Sequence, residues 1–195
     1  EHTDMRTPPR NAEQLKRLYS SEDGRARGIP GWEKLPFFWF HLFLSYECTR
    51  RCSYCYALNQ VSAAPEMDDR TFSRLLEWIP EVVRANRVKV NAIGFLGGEP
   101  LLRTDRIRRV MDSAYENTDG MQGFLYTNGD TLDSVNWDDL KDIQWISTHI
   151  TDITIDELSR RMQIVDERSN VIGQTIVATF DDHNLERALE ITRFG

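Results

Sequence analysis

The chain has 195 residues, with 31 acidic and 24 basic side chains and a formal net charge of -7. That length supports one sizeable core and is short for two independent domains, while the negative balance disfavours a binder of nucleic acid or of anionic membrane surfaces. The three cysteines, Cys48, Cys52 and Cys55, fall within eight residues, which excludes a disulfide framework and fits a reducing, cytoplasmic setting.

Residues 1–35 read as an irregular N-terminal extension, charged and broken by prolines and glycines, with a short helical stretch over 12–19. The first ten residues lack the basic-then-apolar order of a secretory signal. From residue 36 to 195 the texture becomes that of one α/β domain. The longest apolar run, 35–45, contains Pro36 and His41 and falls short of the roughly twenty residues that cross a bilayer. Strands are expected over 37–45, 88–96, 123–127, 143–150 and 171–180, each a short apolar or β-branched run.

Helices are expected between and after them, over 68–86, 103–117, 135–141, 155–166 and 184–192. The first keeps Phe72, Leu75, Leu76, Ile79 and Val83 on one face, although Pro80 should kink or interrupt it. Strands alternating with helices of this length imply parallel crossovers, hence a parallel sheet or a partial barrel. In such folds ligands sit beyond the carboxyl ends of the strands.

After the first strand, residues 46–56 place three thiols at spacings of four and three. Three soft sulfur ligands suit an iron-sulfur cluster or zinc. A structural zinc is normally closed by four protein ligands, and this loop offers no fourth; a cluster with one open iron fits better. The second strand ends in Gly97, Gly98, Glu99 and Pro100, where glycines let backbone approach a ligand and the acid suits a cationic amine; alone, the same residues could be a turn and helix start. The third strand ends in Tyr126, Thr127, Asn128, Gly129 and Asp130, in which Asn-Gly also reads as a tight turn. On the fourth strand Ser147 and His149 share a face, and a strand histidine is more often a satisfied core residue than a catalytic one. On the fifth, Gly173 would admit a ring close to the backbone.

Cys48-x3-Cys52-x2-Cys55 with Tyr54 before the last cysteine, followed one βα unit later by Gly97-Gly98-Glu99-Pro100, resembles the radical S-adenosylmethionine (radical SAM) superfamily. The resemblance implies a partial (β/α)6-type TIM barrel, of which five βα units are visible, and covers about residues 36–180. It implies a [4Fe-4S] cluster on the three cysteines and S-adenosylmethionine on its open iron. Tyr54 and Tyr56 would lie against the adenine, Gly97, Gly98, Glu99 and Pro100 at the methionine amine, Asn128 toward cofactor or substrate, and Ser147 at the ribose with His149 nearby. A one-electron donor such as flavodoxin or ferredoxin would reduce the cluster, and a 5'-deoxyadenosyl radical would abstract hydrogen from substrate.

The segments 97–102 and 125–129 resemble the peptide-modifying branch, which carries SPASM or Twitch extensions. No cysteine follows Cys55 to ligate an auxiliary cluster. A peptide or protein substrate is therefore expected from resemblance alone. A small molecule, a nucleoside or a glycyl-radical partner is the alternative, and a non-enzymatic zinc or iron-sulfur module a further one. Because the common core of the family has six βα units, the chain is expected to be either a minimal enzyme or a fragment of a longer one, and truncation would leave the fifth strand with an open edge.

Other features read as ordinary surface or core. The arginine pair Arg50 and Arg51 and the arginines over 103–109 are taken as solvated faces, with Arg50 and Arg51, inside the cluster loop, alone placed to tune the cluster or meet its electron donor. The five tryptophans are taken as core, and Asp181, Asp182 and His183 as a polar helix entrance.

Overall fold

The computed structural model describes residues 37–55, 57, 66–85, 90–117, 121–150, 153–179 and 191. The expectations for residues 1–35, Tyr56, and Asp181 to His183 lie outside these, as does all but Ile191 of the helix over 184–192.

Five parallel strands form one sheet in sequence order: β1 (Phe37–Phe43), β2 (Val90–Leu96), β3 (Gln122–Thr127), β4 (Ile143–His149) and β5 (Gly173–Val177). Helix α1 (Asp69–Ala85) joins β1 to β2, α2 (Thr104–Asn117) follows β2, and α3 (Ile155–Arg168) joins β4 to β5. This is the α/β architecture expected, with five parallel strands of a partial barrel. All strand exits point to the same end, because each neighbouring pair is parallel. Among the described residues β5 pairs only with β4, and its Ile176 and Val177 are exposed.

Alternation decides the two faces of the sheet. Leu42, Ile93, Phe95, Leu125 and Ile146 turn to the helix side, where they pack with Phe72, Ile79, Ile107 and Met111 into the main core. Trp39, Phe124 and Trp145 stand on the other face, with ring centroids 4.9 Å apart for the first pair and 6.2 Å for the second, which is stacked. The tryptophan expectation needs correcting here. Trp39 and Trp78 are exposed at 42% and 50%; Trp39 faces the open barrel interior, and Trp78 lies edge-on against Phe40 of β1 with its other side open.

Pro80 does not interrupt α1. A proline cannot donate to the carbonyl four residues earlier, and that carbonyl, on Leu76, instead accepts a 2.9 Å hydrogen bond from the Ser113 hydroxyl of α2. The lost bond is replaced across the helix pair, so the helix runs through. Residues 135–141 form only a single 3-10 turn, Trp137–Leu140, capped by the Asn136 side chain; β4 begins at Ile143, which leaves this turn no length in which to propagate as an α-helix. α3 opens on an N-cap in which the Thr154 hydroxyl accepts from Glu157 N at 3.2 Å.

The arginines of 103–109 are anchored rather than simply solvated. Arg103 bridges Glu47 and Glu66 at 2.8 and 3.0 Å. Arg106 donates to the Met67 carbonyl, and both Arg106 and Arg109 lie over the Phe72 ring.

Candidate cofactor site

The chain leaves β1 through Leu44 and Ser45, both buried, and enters the cysteine loop. The exit of β2 clamps that entrance. Gly98 N donates to Ser45 O at 2.9 Å and Glu99 N to Glu47 O at 2.7 Å. Gly97 has φ +127, and a Cβ there would stand 2.3 Å from Ser45 O; one on Gly98 would stand 2.1 Å from Glu47 O. The two glycines are thus required by the backbone that leads into Cys48. Their empty side is filled by protein, which is how the second motif positions the first.

Glu99 is 1% exposed and accepts three hydrogen bonds, from Leu101 N at 3.0 Å, Thr127 Oγ1 at 2.6 Å and Asn128 N at 2.8 Å. Burial pushes its carboxyl above the usual range, against the pull of these donors. The carboxylate therefore ties the end of β2 to the end of β3. A carboxylate accepts about four such bonds, so one acceptor position remains for an amine. Pro100 begins the 3-10 turn Pro100–Arg103 that Glu99 caps.

Asn128 faces the cysteine loop. Its side-chain nitrogen donates to Thr49 Oγ1 at 2.9 Å and lies 3.6 Å from Cys48 Sγ, within reach of the larger sulfur. Arg50 N also donates to that sulfur, at 3.4 Å. Burial raises the pKa of the Cys48 thiol, and these two donors only partly offset it. Tyr54 crosses the barrel mouth to His149, hydroxyl to Nδ1 3.3 Å, and His149 Nε2 meets Thr179 Oγ1 at 3.1 Å. His149 is half-buried with both ring nitrogens engaged, as a satisfied strand histidine is, and it ties the Cys55 end of the cysteine loop to the end of β4 and to Thr179 just beyond β5.

All three cysteines are free and partly exposed. Among the described residues no three Cys, His, Asp or Glu side chains converge closely enough to hold a single metal ion. Three sulfur donors, two hydrogen bonds on one of them and no fourth cysteine or histidine in the loop fit a multi-iron cluster with one open iron. The donor set suits that group.

Ser147 stands where the strand pattern put it, on the interior face. With Trp39, Phe124, Tyr126, Trp145 and Thr175 it lines a cavity of about 340 Å³. Gly173 does not offer room for a cofactor ring. Its open side is filled by the Trp145 indole, which an added Cβ would approach to 2.2 Å, and it sits at the entry end of β5, away from the strand exits.

Sequence reasoning gave no role to Asp130, Thr127 or Arg161. Thr127 is 3% exposed and Arg161 5%, and both are tied to residues far away in the chain, so no local spacing marks them. Arg50 is not simply solvated: its side chain forms a two-point pair with Asp130, at 2.8 and 2.5 Å.

The fold is also that of solved structures. Native anSMEcpe with bound AdoMet superposes with a TM-score of 0.62 at 15% identity, over 82% of this chain and 48% of that one. The same protein with bound AdoMet and Cp18Cys peptide gives 0.59 at 14% identity, over 82% and 47%. The chain thus spans about half the length of these neighbours. No curated protein matches it by sequence. No described helix is long and apolar enough to cross a membrane. The model of the Radical SAM superfamily matches residues 42–190, a span that runs from β1 through every strand and cysteine described above, and the chain belongs to that superfamily.

Proposed function

We propose that this chain is the radical-generating core of a radical SAM enzyme, with a [4Fe-4S] cluster on Cys48, Cys52 and Cys55 and S-adenosylmethionine beside it. The observation that carries this reading is the loop itself, free thiols held at the strand exits between the Gly97-Gly98 clamp and Asn128. When bound, the cluster supplies the electron that cleaves S-adenosylmethionine to a 5'-deoxyadenosyl radical for hydrogen abstraction.

The protein's own part is to hold and orient. Gly98 and Glu99 fix the loop entrance through their amides, and the same two residues would hold the amine of the cofactor's methionine part. Tyr54, Tyr56 and Pro100 bound the adenine and methionine sides, and Ser147 is the ribose contact. Trp39, Phe124 and Trp145 give the barrel interior an apolar lining.

The substrate proposed is a peptide or protein side chain. It is supported by the segments 97–102 and 125–129 and by the likeness of fold to anSMEcpe, one structure of which holds a Cp18Cys peptide. A small molecule is the second reading, favoured by a cavity of about 340 Å³, within the range of small-ligand pockets. A one-electron donor such as flavodoxin or ferredoxin and a cytoplasmic setting belong to the same reading.

Anaerobic reconstitution with iron and sulfide, then dithionite and S-adenosylmethionine, tests it. Formation of 5'-deoxyadenosine is expected, and its absence from a fully loaded protein would overturn the activity proposed. Incubation with candidate peptides against small alcohols and amines then separates the two substrate classes.

A further inference from the structure

The cysteine loop is held at its entrance by backbone, but one carboxylate outside it grips its first half. Asp130 Oδ2 accepts from Thr49 Oγ1 at 3.0 Å and from Arg50 Nε at 2.8 Å, and Oδ1 accepts from Arg50 Nη2 at 2.5 Å. Thr49 and Arg50 are the two residues after Cys48. Arg161 of α3 holds Asp130 in turn, Nη2 to Oδ1 at 3.0 Å, and is itself fixed by Glu157 at 2.6 Å and by the Asn128 carbonyl. Gly129, at φ +75, makes the turn that brings Asp130 here, and a Cβ on it would stand 3.0 Å from the Arg161 guanidinium.

Within the described part of the loop the backbone hydrogen bond from Cys55 N to Cys52 O is the internal one. A segment with so little ladder of its own is ordered by outside contacts, because fixing each residue costs about 1–2 kcal/mol of conformational entropy. A two-point arginine-carboxylate pair supplies direction as well as energy. The Arg50 and Asp130 side chains are only 16% and 26% exposed, so the pair is less screened than one in open solvent.

We propose that Asp130 is a positioning residue that holds the Cys48 end of the loop in the geometry in which it takes and keeps a cluster. It touches neither sulfur nor substrate; it acts through Thr49 and Arg50. The proposal rests on the reading of the three cysteines as cluster ligands.

The test compares the full chain with D130N, T49V and R50Q after anaerobic reconstitution with ferrous iron and sulfide. Iron per chain and the rate at which a ferrous chelator strips the cluster are read, beside the unfolding midpoint of the cluster-free proteins. Residues that support metal ligands typically change metal retention 10- to 100-fold, and D130N is expected to lose its cluster roughly 10-fold faster, while its cluster-free midpoint falls only modestly, as the loss of one partly exposed ion pair allows. R50Q should match D130N, and the double variant R50Q/D130N should be no worse than either single one, as members of one pair behave. A parental rate of loss in D130N overturns the proposal. Should D130N fail to fold, a parental rate in both T49V and R50Q overturns it, and accelerated loss in both supports it. If the parent chain itself takes up no cluster, the cysteine reading falls, whereas a loaded parent with an equally retentive D130N removes only the role of Asp130.

Discussion

Glu99 and Thr127 meet at 2.6 Å inside the protein, carboxylate to hydroxyl, and this bond joins the exit of β2 to the exit of β3. The Gly-Gly-Glu-Pro segment and the Thr-Asn-Gly segment are therefore one structural unit around the cysteine loop. Glu99→Gln replaces an acceptor oxygen with a donor facing either Asn128 N or the Leu101 and Thr127 donors. It should cost about 2–3 kcal/mol, and Thr127→Val, which removes one donor, about 1 kcal/mol. Urea unfolding of the cluster-free proteins measures both, and a neutral E99Q would contradict the three-bond account.

Gly98→Ala should be more damaging than its size suggests. The added Cβ meets backbone, Glu47 O at 2.1 Å, and backbone cannot rotate aside as a side chain can. A loss of about 2–3 kcal/mol or more is expected, together with poor cluster uptake, because the clamp lies one residue before Cys48. Iron analysis after reconstitution and a denaturant midpoint check it. Gly97→Ala should behave alike, with the added strain of φ +127.

Acid should weaken the network on α3. Burial alone would raise the carboxyl of Asp130, but hydrogen bonds from Arg50 and Thr49 and the charge of Arg50 more than offset this and hold it at about 2, below its ordinary 3.8. A depressed acid stabilises the fold above its unfolded value and loses that contribution as pH falls toward the folded one. The contribution is on the order of 1–2 kcal/mol after allowance for partial exposure, and is lost between about pH 4 and pH 2. D130N should flatten this part of the stability-pH curve. Some slope remains, since the bonds from Arg160 and then Arg161 hold Glu157 at about 2 as well. An equally steep fall in D130N would exclude the pair as its source.

Asn128→Ala removes an amide donor that lies 3.6 Å from Cys48 Sγ and holds Thr49 Oγ1. Hydrogen bonds to cluster sulfurs raise the reduction potential, so the variant should shift it to more negative values by on the order of tens of millivolts. Spectroscopic titration of the reconstituted protein measures the shift, and an unchanged or more positive midpoint would show that this amide does not act on the sulfur.

The strands were legible because a strand buried on its helix side carries a short apolar run, and each of the five appears in the expected place and order. The cysteine loop was legible because its chemistry is local. Pro80 misled because the partner that rescues the Leu76 carbonyl, Ser113, lies 37 residues away. Gly173 misled for a similar reason, since what fills its open side is an indole from the neighbouring strand. His149 reads as a satisfied strand residue, but its partner Tyr54, 95 residues earlier, is supplied only by the fold.

The sequence by itself determined the strand order, the three thiols and the two motifs that follow them, because periodicity, thiol spacing and glycine chemistry act over a few residues. Tertiary structure alone decided that the two glycines clamp the loop entrance, that Glu99 joins two strand exits, and that Asp130 grips the residues after Cys48. Those contacts pair groups 28 to 81 positions apart, and only a parallel sheet that delivers every strand exit to one end brings them within hydrogen-bond reach.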